Sequence, residues 1–207
     1  PVLDNGTLDI EAFRRLLSEK TKFISIVQVS NALGTINPVH DIIKIARVYN
    51  SAIKILIDGS QAVVHCDVNV MELDADFYVF TGHKLYGPTG IGILYGKYDA
   101  LNAMPPYQGG GDMIERVSFD KTTYKEPPFR FEAGTPPIVE VIGLGAAIDY
   151  IQALGVEEIG VREDVLMDYA THEILAIDGL KMYGTAPEKA GILSFTIDGA
   201  HSSDISM

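Results

Sequence analysis

Three apolar runs of strand length alternate with stretches of helical spacing, and this alternation is the feature that most restricts the fold. The runs cover residues 23–29, 53–57 and 76–80 and are rich in β-branched and aromatic side chains. Between the first two, apolar residues recur at the three- and four-residue spacing of a helix that begins near Pro38. The pattern predicts an α/β fold, in which a mostly parallel sheet is buried beneath helices on both faces.

The second half of the chain follows a Gly- and Pro-rich segment, residues 101–134, which we expect to be a long functional loop. Helical spacing then returns at residues 138–154 and 156–176, and two short strands are expected after it. The predicted organisation has three parts: residues 1–137 belong to a large domain, 138–155 form a connecting helix, and 156–207 belong to a small C-terminal α+β domain. Because the chain begins at Pro1 and ends at what reads as a helix start, we expect a fragment.

Composition narrows the classes of partner and compartment. The chain has 16 basic and 28 acidic residues, a net charge of −12, which disfavours a nucleic-acid or anionic-membrane surface. Its single cysteine, Cys66, excludes a disulfide framework within the chain and favours a reducing, cytoplasmic location. No apolar run is long enough for a membrane span, and the histidines lack the spacing of a metal site.

Polar residues gather where the predicted strands end. They are Asn31, Asp58, Gln61, His83 and Lys84. Open α/β sheets bind ligands at the carboxyl ends of their strands. A lysine at such a turn can act as a Schiff-base amine, and a carboxylate on a neighbouring strand can keep a pyridinium nitrogen protonated.

From the residues alone, more than one interpretation of these strand-end residues stays open. Lys84 and Asp58 suit a pyridoxal site in which Thr81 and His83 bind a phosphate, but they also suit a solvated lysine and a turn-capping aspartate. A nucleotide phosphate loop is excluded, because the Gly-x-x-x-x-Gly-Lys-[Ser/Thr] spacing is missing.

Five segments, taken in order, resemble Suf-type cysteine desulfurases and selenocysteine lyases. These enzymes are class-V aminotransferase relatives with the three-layer α/β/α fold of pyridoxal-phosphate-dependent transferases. The segments are VSNALGTINP (29–38), DGSQA (58–62), DFYVFTGHKLYGPTGIGILY (76–95), GGGDMI (109–114) and RFEAGTP (130–136). The likeness covers essentially the whole chain and implies pyridoxal 5′-phosphate as the cofactor.

The resemblance also implies a role for each matching residue. Lys84 would hold the cofactor covalently and move protons at the substrate α-carbon. Asp58 would pair with the pyridine nitrogen and Gln61 with the ring oxygen, while Asn31 would lie near the ring oxygen and the substrate carboxylate. Thr81 and His83 would bind the phosphate, and Thr135 would reach the phosphate of the neighbouring subunit in a homodimer.

The implied activity converts L-cysteine to L-alanine and passes sulfur, through an enzyme persulfide, to a Suf-type acceptor protein for iron–sulfur cluster assembly. Members of this family run to about twice the present length, and their persulfide-forming cysteine would lie beyond Met207. We therefore expect the fragment itself to be inactive. Selenocysteine lyase, kynureninase and aminotransferase activities remain alternatives, as does a catalytically dead fragment that only folds and dimerises.

Several other residues receive structural interpretations. Cys66 is expected to be a small, partly buried residue rather than a nucleophile. Arg130 and Glu132 are expected to form an ion pair near the loop. The acidic positions of the helix after residue 156 are expected to be solvated: Glu157, Glu158, Glu163 and Asp164.

Overall fold

A four-stranded sheet forms the centre of the computed structural model, which describes residues 1–206. Its strands are β1 (Phe23–Val27), β2 (Lys54–Asp58), β3 (Phe77–Thr81) and β4 (Gly92–Gly96). They lie in chain order, β1, β2 and β3 running parallel and β4 antiparallel to β3. The α/β class predicted from the alternation is confirmed, with a mixed rather than purely parallel sheet.

Helices cover the sheet and supply most of its core. The helices of the first half are α1 (Ile10–Leu16), α2 (Val39–Tyr49), α3 (Ala62–His65), α4 (Val70–Leu73) and α5 (Tyr98–Asn102). The main cluster packs apolar residues of α2 and α4 against the inner strand β2, whose Ile55 and Ile57 are fully buried. Inner strands that are apolar along their length need this cover on both faces.

The expectation that the first strand is buried is wrong for one of its faces. In β1 the side chains alternate between exposed and half-buried, and Phe23 is 51% exposed. Ile24 and Ile26 pack against the main core cluster, whereas the alternating residues Phe23, Ser25 and Val27 lie on the opposite, exposed face of this strand.

A charged network closes the end of the sheet where β2 and β3 begin. Asp76, which is 3% exposed, accepts hydrogen bonds from Arg47 at 2.7 Å, from Lys54 at 3.1 Å and from the Ile55 amide at 2.9 Å. Burial acts to raise the pKa of Asp76, but the hydrogen bonds from Arg47, Ile55 and Lys54 outweigh it and hold that pKa below its ordinary value. The network joins α2, β2 and the start of β3.

The segment expected to be one long loop, residues 101–134, contains regular structure. β5 (Ile114–Val117) and β6 (Thr122–Tyr124) pair as an antiparallel hairpin with an irregular register. A 3₁₀ turn, Phe129–Phe131, follows. Short strands with mixed polarity escaped notice because apolar alternation over three or four residues is too weak a signal.

The remainder of the chain forms two long helices and a small antiparallel pair of strands. These elements are α6 (Ile138–Leu154), α7 (Val156–Leu175), β7 (Leu180–Tyr183), β8 (Ser194–Ile197) and α8 (Ser202–Ile205). Leu144 and Ile151 of α6 pack against Val64, Leu85 and Ile91 of the first half. The predicted domain boundaries stay a prediction, and Met207, the last residue of the predicted small domain, lies outside the described residues.

Most of α6 is apolar, yet much of it is exposed. Val139 is 77% and Ile142 68% exposed, whereas the buried side chains are only Leu144, Ala147 and Ile151. Among residues 1–206 no single helix has the length and apolar composition to cross a membrane; α6 and α7 pass that test only together, and they are bent by 73°.

Candidate active site

The turn after β2 presents Asp58 at the carboxyl end of the sheet. Asp58 is half-buried, and its Oδ1 accepts a hydrogen bond from the Ser60 amide at 2.9 Å. Gln61 follows as the residue before α3, whose first turn is closed by the Gly59 carbonyl accepting from the Val63 amide at 3.1 Å. The short turn therefore holds the carboxylate and the amide side chain three positions apart.

The segment between β3 and β4 carries Lys84. Residues Gly82–Lys84 form a 3₁₀ turn directly after β3, and Thr81 Oγ1 lies 2.8 Å from His83 Nδ1. The segment is closed at its base, because the Gly82 amide donates to the Ile91 carbonyl at 2.9 Å. Lys84 is thus held on a wide hairpin at the same edge of the sheet as Asp58.

Both charged groups lack an ionic partner. Within residues 1–206 neither Lys84 nor Asp58 takes part in a salt bridge. No buried side-chain nitrogen or oxygen in the described residues is left without a hydrogen bond. Because Lys84 Nζ has no protein partner, this amine is accessible from outside, although the side chain as a whole is half-buried.

Asn31 lies on the loop that follows β1. The Gln28 amide donates to the Asp58 carbonyl at 2.8 Å, so this loop leaves the sheet beside the Asp58 turn. The loop is closed internally by Ser30, whose carbonyl accepts from the Gly34 amide at 3.0 Å. Asn31 itself is exposed.

Thr135 lies on the segment between the 3₁₀ turn Phe129–Phe131 and α6. It is exposed, and no hydrogen bond or ion pair in the described part of the chain joins it to the other six predicted site residues. A cavity of about 270 Å³ flanks it and is lined in part by Gly134, Pro136 and Lys125. The shared site implied for a dimer therefore stays a prediction.

A partly buried contact between α3 and α7 was not predicted from the sequence. His65 Nδ1 lies 2.6 Å from Glu163 Oε2, which joins the end of α3 to α7. The expectation that Glu163 is solvated is therefore wrong, because the α3–α7 packing places it against a half-buried histidine. Burial first, and the Glu163 charge second, raise the pKa of the neighbouring Cys66 thiol. A thiol held in its neutral form is a poor nucleophile, which fits the structural role expected of Cys66.

Arg130 has partners other than the one expected. Its guanidinium donates to the carbonyls of Lys125 and Asn102 at 3.1 and 3.0 Å, and lies 3.8 Å from Glu126. The expected pair with Glu132 is wrong, because the 3₁₀ turn brings Glu126, four residues earlier, to the same side. Arg130 fixes the connection between α5 and the turn that precedes Thr135.

Two further polar residues lie beneath the site and were missed by sequence reasoning. Tyr78 of β3 donates its hydroxyl proton to Gln28 Oε1 at 2.8 Å. Gln28 could have been noticed, because it is a polar residue inside the apolar run 23–29. No local pattern indicates that its partner is Tyr78, which lies 50 positions later in the chain. Among residues 1–206 no cluster of three metal-ligating side chains occurs.

The donor set fits the cofactor that the resemblance implies. Pyridoxal 5′-phosphate needs an accessible amine, a carboxylate free of cationic partners, and hydrogen-bond donors for its phosphate. Lys84, Asp58, and the Thr81–His83 pair provide these groups at one sheet edge, and Asp58 has an oxygen that accepts no protein hydrogen bond. This match rests on the chemistry of the side chains and on the strands that carry them.

Comparison with known proteins places the chain among related sequences and structures. The aminotransferase class-V family model matches residues 1–207. A cysteine desulfurase of Serratia proteamaculans is 50% identical over 206 residues, covering 99% of this chain and 50% of its own length.

Solved structures agree with the sequence match. The apo structure of a cysteine desulfurase from Thermococcus onnurineus superposes with a TM-score of 0.91 at 38% identity, covering 98% of this chain and 50% of that one. A C-DES mutant with glycine covalently linked to its PLP cofactor gives a TM-score of 0.83 at 26% identity, covering 94% and 52%. The chain therefore spans about half the length of the relatives that it matches.

Proposed function

Because the chain belongs to the class-V aminotransferase family, we propose that it carries the pyridoxal 5′-phosphate site of a cysteine desulfurase. The reaction proposed for the whole protein converts L-cysteine to L-alanine and transfers the sulfur to a cysteine thiolate of the enzyme as a persulfide. The relatives and the solved structures that are named cysteine desulfurases support this choice within the family.

One observation carries the proposal. An accessible amine, Lys84, and a carboxylate without a cationic partner, Asp58, follow neighbouring parallel strands at the same edge of the sheet. By contrast, the buried carboxylate of Asp76 is neutralised by Arg47 and Lys54. An amine and a carboxylate that both lack ionic partners at a ligand-binding edge are the arrangement that an aldehyde and a cationic ring nitrogen require.

When bound, the cofactor would supply an electron sink for charge that develops at the substrate α-carbon. Lys84 would hold it through Nζ, and would afterwards take the proton from the α-carbon of cysteine and return it to alanine. Asp58 would keep a proton on the ring nitrogen by its negative charge. Gln61 and Asn31 would orient the ring oxygen, and Thr81 with His83 would bind the phosphate.

The sulfur-accepting thiolate is proposed to lie outside these 207 residues. Cys66 does not suit the role, because burial and Glu163 raise its pKa. A homodimer, a Suf-type acceptor protein, iron–sulfur cluster assembly and a cytoplasmic location complete the proposal. The exposed apolar residues of α6, which begins three positions after Thr135, support the dimer.

The test combines a spectroscopic and a chemical readout on the purified protein that contains this chain. Added pyridoxal 5′-phosphate should give a visible absorbance band, and L-cysteine should then be converted to alanine and sulfide in the presence of a reductant. Lys84→Ala and Lys84→Arg should both abolish the band, because neither side chain forms an imine. Lys44→Ala, at an exposed site on α2, is the matched control and should change nothing.

The outcomes separate the proposal from its alternatives. A wild-type protein without visible absorbance would contradict the cofactor assignment. A cofactor band with turnover of kynurenine, or with transamination in place of alanine release from cysteine, would assign a different class-V reaction. Preferential release of selenide from selenocysteine would identify a selenocysteine lyase.

A further inference from the structure

Tyr78 is a buried polar residue to which the proposed reaction assigns no part. It lies on β3 in the main core cluster and is 2% exposed. Its hydroxyl donates to Gln28 Oε1, which belongs to the segment just after β1. The hydroxyl thus joins β3 to the segment that follows β1, although β1 and β3 are not neighbours in the sheet.

The same hydroxyl lies directly under the Asp58 turn. A Cβ added to Gly59 would overlap Tyr78 Oη, so the backbone of Gly59 rests against the tyrosine and no larger residue fits there. The Gly59 amide donates to the Val79 carbonyl at 2.8 Å, and the Gln28 amide donates to the Asp58 carbonyl at 2.8 Å. The Gly59 amide is therefore held by Val79, which is next to Tyr78 in the chain, and the Asp58 carbonyl is held by Gln28, whose side chain accepts the Tyr78 hydrogen bond.

The hydroxyl also keeps its proton. Burial, followed by the Coulombic effects of Cys66 and Asp58, raises the pKa of Tyr78 well above its ordinary value. Tyr78 is accordingly a hydrogen-bond donor to Gln28 at neutral pH.

We propose that Tyr78, with Gln28 as its acceptor, is a positioning residue that sets the height and direction of the Asp58 carboxylate at the sheet edge. Tyr78 supports the Gly59 peptide from below, while Gln28 ties the Asp58 carbonyl to the β1 side. The assignment rests on the proposed function for its catalytic meaning, since Asp58 acts there on the cofactor ring. Its structural part, the immobilisation of the turn, holds with or without the cofactor.

The test compares Tyr78→Phe with a matched tyrosine. Tyr95 is the cross-strand partner of Tyr78, and its hydroxyl contacts Met71 Sδ at 3.8 Å, away from Asp58. Tyr78→Phe should weaken pyridoxal 5′-phosphate binding about fivefold, the effect of one lost buried hydrogen bond. It should also displace the midpoint of the pH titration of the visible band by about half a unit, because a displaced Asp58 holds the ring proton differently. Tyr95→Phe should leave both quantities unchanged.

Gln28 provides a second and independent arm. Gln28→Met removes the acceptor at similar volume and should reproduce the effect of Tyr78→Phe, whereas Gln28→Glu keeps an acceptor oxygen and should restore part of the affinity. In the double variant Tyr78→Phe with Gln28→Met, the losses should not add, because both changes delete the same bond. Additive losses would contradict the assignment.

Amide hydrogen exchange without cofactor separates this assignment from the proposed function. Tyr78→Phe should accelerate exchange at the Gly59 and Gln28 amides about fivefold, by the same loss of one hydrogen bond. If the wild-type protein binds no cofactor but these amides exchange faster in the variant, the proposed function fails and the positioning of the turn stands. If cofactor binds but Tyr78→Phe matches Tyr95→Phe in affinity, titration midpoint and exchange, the positioning role is overturned.

Discussion

Two aspartates at opposite ends of the same sheet have contrasting surroundings. Asp76, at the amino end of β3, accepts hydrogen bonds from Arg47, Lys54 and a backbone amide, and is almost fully buried. Asp58, at the carboxyl end of β2, accepts one hydrogen bond from its own turn and, within residues 1–206, forms no ion pair with a basic side chain. At the amino end of the sheet the carboxylate charge of Asp76 is neutralised by basic side chains, whereas at the carboxyl end the carboxylate of Asp58 is available to a ligand.

The difference shows how the molecule divides stability from binding. A buried carboxylate with all its partners fixes α2, β2 and β3 relative to one another, and removing it would leave Arg47 without its partner. A carboxylate with free acceptor capacity contributes little to folding, and it is available to a ligand that brings its own positive charge. Each prediction below changes one side of this contrast.

The largest effect is expected at the carboxyl end. Asp58→Asn should lower the turnover of cysteine by about two to three orders of magnitude, because it removes the charge that keeps the ring nitrogen protonated. The protein should still bind some cofactor, as Lys84 is untouched. Steady-state alanine release and visible absorbance measure the two quantities. Unchanged turnover would contradict the role proposed for Asp58.

At the amino end of the sheet, a substitution of Asp76 is expected to lower stability. Asp76→Ala should reduce the free energy of unfolding by about 3 kcal/mol, since it leaves Arg47 partly buried and unpaired. Denaturant unfolding of the apo protein measures the change. Asp58→Ala is the matched control and should cost less than about 1 kcal/mol, because it loses only one turn hydrogen bond. Equal losses of unfolding free energy in Asp76→Ala and Asp58→Ala would contradict the difference drawn between the two aspartates.

Acid should act mainly through the amino end. The pKa of Asp76 is lower in the folded protein than in the unfolded chain, so its stabilisation is complete above the unfolded value, about pH 4, and is lost as pH falls through the folded value. Stability of the wild-type protein should therefore decline below about pH 4, and the decline should be shallower in Asp76→Asn. Urea midpoints measured across this range test the sign, and identical slopes would refute it.

The carboxylate of Glu163, whose partner is the His65 ring, should have an intermediate effect on stability. Glu163→Gln weakens the contact with His65 and should cost about 1 kcal/mol of stability, between the values for the two aspartates. Glu157→Gln, on the exposed first turn of the same helix, should be neutral. A loss at Glu163 as large as that at Asp76 would mean that burial, rather than the number of partners, sets the cost.

Local pattern was sufficient for much of the fold. The alternation of apolar runs and helical spacing predicted β1, β2, β3, α2, α6 and α7, because each has a period that can be read within one segment. The positions of Asn31, Asp58 and Lys84 after successive strands followed from the same reading, since strands that run parallel end at one edge. The roles of these residues came from the family resemblance and remain predictions.

Features that depend on distant residues could not be predicted. In the sequence Glu163 resembles any solvated helical glutamate. Its contact with His65, a residue 98 positions earlier, arises only because α7 packs on α3. Asp76 was read only as the start of a strand, although its partners lie 29 and 22 positions earlier in the sequence. Arg130 was assigned the wrong partner because a 3₁₀ turn, rather than an extended segment, sets its neighbours.

The closed base of the hairpin that carries Lys84 has a consequence for natural and engineered variants. β3 enters it and β4 leaves it in fixed antiparallel register, with the Gly82 amide bonded to the Ile91 carbonyl. Adding or deleting one residue between them would turn every β4 side chain to the opposite side of the sheet. For folding, this segment therefore accepts changes of residue type more readily than changes of length, and libraries aimed at the site should keep Lys84 and the spacing constant while varying the side chains around them.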